Sequence, residues 1–217
     1  MSGVVALVPH ERGLSMAERV RATVERVMGP DAAVRVQQAV IAALLSRHAL
    51  HPKDVRYLHP GRTVLILLDD AGVRDEAVLM AGAFLETWHP ALAATPDADS
   101  GGFADAARLL EAERRMPGLL ERIPVPAGAE DDDALREALV TADSDARTVA
   151  LVERLDHARH LHLYPRDEWE VLYGNVRAVY LPVAEWAGGS LAARYRRWTE
   201  AFARRLQRER GGERDLP

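Results

Sequence analysis

The sequence predicts an all-α helical bundle interrupted by two long loops. Three observations predict it. Apolar residues recur at helical spacing, as in Val36, Val40, Ala43 and Leu44, and again in Leu191, Tyr195, Trp198, Phe202 and Leu206. Start and stop signals for helices punctuate the chain throughout. The one run that suits a strand equally well, Thr63–Leu68, has no partner strand nearby and is read as a buried helix. At 217 residues there is room for one domain with an accessory helix or two.

Taken in order, Ser15 and Glu18 form a capping box for a helix over 16–28, stopped by Gly29-Pro30. Asp31 caps a second helix. The His- and Pro-rich stretch 48–61 is read as a loop. Asp75 caps a helix that runs through Trp88, and 90–102 is the first long loop. A helix from Phe103 is interrupted near Pro117, and 123–133 is the second long loop. Helices over 132–141 and 144–161 follow. Another starts near Pro165 and ends at Gly188-Gly189, and Ser190 caps the last. Trp169, Trp186 and Trp198 are assigned to the core.

Composition excludes several classes. With 48% hydrophobic and 28% charged residues the chain is globular rather than disordered. Its longest apolar runs, 41–45 and 63–68, are far short of the roughly 20 residues that span a bilayer. No secretory leader opens the chain, so a cytoplasmic protein with no membrane partner is expected. The absence of cysteine removes disulfides, thiolate metal sites and cysteine nucleophiles. Lys53 is the only lysine, which confines Schiff-base chemistry to that position. A net charge of −5 argues against a nucleic-acid partner. The arginines of the last helix, from Arg194 to Arg210, are read as a solvated face, and the acidic run Glu130–Asp133 as loop and helix start. Ser46 near His48 and His51 lacks the elbow of a nucleophile motif.

Two stretches carry a family resemblance. One contains Glu153-Arg154-Leu155-Asp156-His157 followed by Tyr180-Leu181-Pro182-Val183-Ala184; the other runs from Arg56 to Pro90 and begins with His59-Pro60. Together they resemble the alarmone hydrolase domain of RelA/SpoT-type proteins, a branch of the HD superfamily, over roughly 33–206. There an Asp-Arg-Leu-His-Asn run and a Tyr-Ala-Pro-Leu-Ala stretch lie on successive helices. The resemblance implies an HD-domain-like bundle over 31–207, with 1–30 as an N-terminal helical extension and 208–217 as a flexible tail. It also implies a divalent ion, typically manganese, whose bound water attacks the 3′-pyrophosphate of guanosine tetra- or pentaphosphate.

The departures from that pattern decide the expected function. His59 matches the first metal histidine. The His-Asp pair falls at Leu85-Glu86, so its histidine is lost, and the acidic pair beyond it falls at His89-Pro90. Glu153 replaces the last metal aspartate and His157 the substrate-contacting asparagine, while Arg154 keeps the family's arginine. A rebuilt metal site would draw on His59, Glu86, His89 and Glu153, with Arg154 and His157 lining a ligand pocket. The other reading is a metal-free core in which ion pairs of Arg154 with Glu86 or Glu153 replace the ion. We take the second as the expectation: a degenerate module without catalytic residues or a cofactor, which binds a guanine nucleotide such as (p)ppGpp or docks a protein partner. The alternative is a metal-dependent phosphohydrolase using manganese or another divalent transition metal. A homodimer built on the terminal helices is the third reading.

Overall fold

The computed structural model describes residues 11–50, 57–88, 115–125 and 132–212, and among them every regular element is helical. The all-α expectation holds. The loop at 90–102, the expected helix start at Phe103, His89 and most of the second loop lie outside the described residues. None of the described helices is long and apolar enough to cross a membrane. The chain divides into two compact units, 1–122 and 123–217, a boundary that falls within the 31–207 stretch.

In the N-terminal unit, α1 (Glu11–Met28) packs on α2 (Pro30–Leu50) and α3 (His59–Asp69). α4 (Glu76–Trp88) packs on α2, α3 and α5 (Arg115–Leu120). α1 passes through Ser15 instead of starting there, because its buried stripe of Gly13, Ala17, Val20 and Val24 extends a turn upstream. Gly29, at φ 92°, makes the break before Pro30. α2 continues to Leu50, and His59-Pro60 opens α3 instead of closing a loop; proline is tolerated there because the first turn's N–H groups have no partner within the helix. Every α3 residue from His59 to Leu68 except Arg62 is buried. A helix apolar on all sides sits at the centre of a bundle, which explains why Thr63–Leu68 looks like a strand by composition. Asp75 does cap α4, its Oδ1 accepting from the Ala77 N–H at 2.9 Å. Pro117 lies inside α5 at its third position and does not interrupt it.

The C-terminal unit comprises α6 (Asp132–Thr141), α7 (Ser144–Arg159), α8 (Trp169–Asn175), α9 (Leu181–Ala187) and α10 (Gly189–Gly212). Asp143 caps α7 through a 2.9 Å bond from the Ala146 N–H. Two short 3₁₀ turns, Leu161–Leu163 and Arg166–Glu168, lead into α8. α8 and α9 form one rod joined by a π-helical turn over Val176–Tyr180. Gly188 and Gly189, at φ 77° and 73°, separate that rod from α10, so the break is made by glycines and Ser190 falls within the first turn of α10. α10 runs on to Gly212, into the segment expected as tail.

Its apolar stripe packs as the spacing predicts. Tyr195 is fully buried and donates to the Leu151 carbonyl of α7 at 2.7 Å. Phe202 lies 5.7 Å from Trp169 and 5.3 Å from Trp198, centroid to centroid. Trp186 departs from the core assignment. It is 60% exposed, with the Arg147 guanidinium 4.7 Å from its ring centroid, because it falls on the outer face of α9 while Val183 and Ala184 face inward.

The close approach of α4 to α3 is testable. A Cβ on Gly82 of α4 would stand 2.4 Å from Leu67 Cδ1 and 3.2 Å from Thr63 Cγ2 of α3. Both neighbours are buried, so neither can swing away. Gly82→Ala should lower stability by about 1–3 kcal/mol in urea denaturation, despite alanine's higher helix propensity.

Candidate functional site

The residues singled out in the sequence form two local groups, one in each unit. In the N-terminal unit they lie on three helices. His59, at the start of α3, is buried; its Nε2 is 3.3 Å from Thr63 Oγ1 and 3.7 Å from Glu86 Oε2. Glu86 projects from α4, and Arg47 of α2 forms an ion pair with it. The side chains are 5% exposed for Arg47 and 20% for Glu86, so the pair sits where a lone charge would be costly. Leu85, beside Glu86, is buried in the apolar core.

In the C-terminal unit, α7 supplies the group. Glu153 and His157 are four residues apart and therefore share a helix face; Glu153 Oε1 lies 3.0 Å from His157 Nε2. The other ring nitrogen, Nδ1, is 2.5 Å from the Tyr164 hydroxyl. Burial opposes charge on this imidazole, but the Glu153 carboxylate outweighs it by charge and hydrogen bond, so the His157 pKa is raised. Arg154 lies 4.0 Å from Glu153 through Nε and 5.1 Å from the centroid of the Tyr180 ring. Its burial likewise opposes the charge, but Glu153 together with the Tyr180 and Tyr195 hydroxyls outweighs this, raising its pKa. Burial pushes the hydroxyls of Tyr180 and Tyr195 up, so both remain neutral donors.

Of the predicted site residues, the structure brings His59 to Glu86, and Glu153 to Arg154 and His157. His89 lies outside the described residues. The expected ion pair of Arg154 is with Glu153, whereas the guanidinium on Glu86 belongs to Arg47. The sequence reading missed that arginine, although it continues the buried 36–40–43–44 row of α2 at helical spacing. It also missed Asp156, which is 1% exposed and has His160 Nδ1 at 3.4 Å from its Oδ1. The signal was again periodicity, since Asp156 follows Val149 and Val152 on the inward face of α7.

His59 with Glu86 in one unit, and Glu153 with His157 in the other, are of the side-chain types that ligate divalent ions. A metal ligated by Glu86 would have to share the carboxylate with a guanidinium, and like charges repel strongly away from water. Leucine at 85 offers no donor. No protein-family model, curated protein or solved structure matches the chain. The family resemblance therefore rests on the quoted motifs.

Two predictions follow from the charges. Arg47→Met leaves Glu86 without its guanidinium and should cost about 3–5 kcal/mol; adding Glu86→Leu should recover most of it. Urea titrations of the single and double variants measure this. For His157 the folded pKa lies above the unfolded value, so its pairing contributes fully below about pH 6.5 and is lost as pH rises through the folded value. The urea midpoint should accordingly carry a component that falls on going from about pH 6 to pH 8. His157→Gln should abolish that component.

Proposed function

We propose that this protein is a degenerate HD-type module in which side-chain ion pairs stand in for the metal. On this reading it binds a guanine nucleotide such as (p)ppGpp, or a regulatory protein partner, and does not hydrolyse the nucleotide. The observation that carries the proposal is the Arg47–Glu86 pair. The carboxylate that the resemblance assigns to the metal is instead engaged by a buried cation, beside a leucine where the pattern requires histidine. Support also comes from the C-terminal unit, where the two motif runs of one stretch meet as Arg154 lies over the Tyr180 ring.

The competing reading is a metal-dependent phosphohydrolase, with a cytoplasmic nucleotide as substrate. It is favoured by the two His–carboxylate pairs, His59 with Glu86 and His157 with Glu153, because imidazole and carboxylate are ligand types suited to manganese, iron and zinc. It requires Arg47 to withdraw from Glu86 and His157 to lose its proton.

Elemental mass spectrometry of untagged protein, purified without chelator and then loaded with manganese, separates the two. The expected result is no stoichiometric transition metal, no pyrophosphate released from guanosine tetraphosphate, and a thermal shift with a guanine nucleotide or capture of a defined partner. One tightly held metal per chain together with pyrophosphate release would establish the enzyme instead.

A further inference from the structure

A separate polar cleft lies in the N-terminal unit at the opposite end of α4 from Glu86. The ten residues from Glu76 to Glu86 place it about 15 Å away along the helix. Its volume is ≈ 590 Å³, within the range of small-molecule pockets. Arg35 of α2, Arg74 and Asp75 of the α3–α4 turn, Glu76 of α4 and Arg115 of α5 supply its charged groups.

Most of this charge is matched internally. Arg35 grips Glu76 with a two-pronged contact, Nε to Oε2 at 2.7 Å and Nη2 to Oε1 at 2.8 Å, which holds the Glu76 pKa below its ordinary value. Arg115 Nη1 reaches Asp75 Oδ2 at 2.9 Å. Arg74 differs. Its Nη1 donates to the main-chain carbonyls of Leu68 at 2.8 Å and Val73 at 2.7 Å. Those carbonyls fix the guanidinium in place but carry no net charge, so among the described lining residues three arginines face two carboxylates. The apolar lining consists of Ala39, Ala77 and two thioethers, Met28 and Met80. Methionine sulfur makes favourable contacts with aromatic rings.

We propose that this cleft binds a small organic anion with an aromatic body and a single carboxylate or phosphate head. The head sits on Arg74, pre-positioned by its two carbonyls, and the ring lies against Met28 and Met80. The single surplus charge selects a compact head group over an extended polyanion, which would have to break the Arg35–Glu76 contact. Asp75 already takes the Ala77 N–H at the start of α4, which leaves anion recognition to the guanidinium.

The test uses the full chain with ¹³C-methyl-labelled methionine, titrated with phenyl phosphate, benzoate, inorganic phosphate and benzyl alcohol. The expected result is saturable shifts of the Met28 and Met80 methyls with phenyl phosphate or benzoate, and little change at Met16 and Met116. Whichever head binds more tightly identifies the natural class. Arg74→Gln should weaken binding roughly tenfold or more, since it removes a charge-assisted contact. Gln38→Glu, at an exposed position lining the cleft, should weaken it too by cancelling the surplus charge, and is unlike Arg74→Gln in leaving the α3–α4 turn intact. No saturable shift below about 10 mM, or equal affinity in both variants, would overturn the proposal. So would equal binding of inorganic phosphate and phenyl phosphate without methionine shifts, which indicates ion association with exposed arginines.

Discussion

Carboxylates held inside helical packing must be matched by cations, and much of this chain's polar architecture follows from that constraint. Removing a carboxylate from water costs several kcal/mol, which only close opposite charges and hydrogen bonds return. Glu86 meets this with Arg47, a pair that joins α2 and α4, and Glu153 meets it with His157 and Arg154 along α7. The buried Asp156 has the His160 imidazole Nδ1 3.4 Å from its Oδ1.

On the proposed reading, the same requirement lets residues of a hydrolase-like pattern persist with ion pairs in place of a metal. A metal ion and a guanidinium are alternative ways to compensate a buried carboxylate. Once Arg47 supplies the charge, histidine at position 85 has no ligating task, and an apolar residue packs there at less cost. Leu85 fits that account: it is buried, and it lies in a helix whose neighbouring faces are filled by alanine, leucine and methionine.

The helical class was legible because amphipathic spacing survives in nearly every element, and the last helix packed along the stripe read from it. Helix boundaries were less legible. Ser15 and Ser190 have the right chemistry for caps, but the buried row of α1 begins upstream of one and two left-handed glycines precede the other. Much of the candidate chemistry was visible as residue types, since His59, Glu86, Glu153, Arg154 and His157 all stand out in the sequence. The two that did not, Arg47 and Asp156, are charged residues on otherwise apolar rows. Such residues look like interruptions of a pattern until their partners on other helices or other turns are known. Trp186 shows the reverse error, because a large aromatic residue suggests burial while its position on α9 faces outward.

The π turn between α8 and α9 gives the rod two angular registers. Each α-helical residue advances about 100° around the axis, so the extra residue of a wide turn rotates everything beyond it relative to the segment before. Trp169 and Tyr173 thereby address the aromatic cluster with Phe202, while Tyr180, about two turns beyond Tyr173, addresses Arg154. Arg136 Nη1 reaches the Ala178 carbonyl within the turn, at 3.4 Å. The rod can therefore absorb a one-residue change in chain length at this point, but only by exchanging which of its two aromatic neighbourhoods remains in phase. In that sense Val176–Tyr180 works as a vernier, setting the arginine-facing tyrosine independently of the stacked rings that anchor the rod.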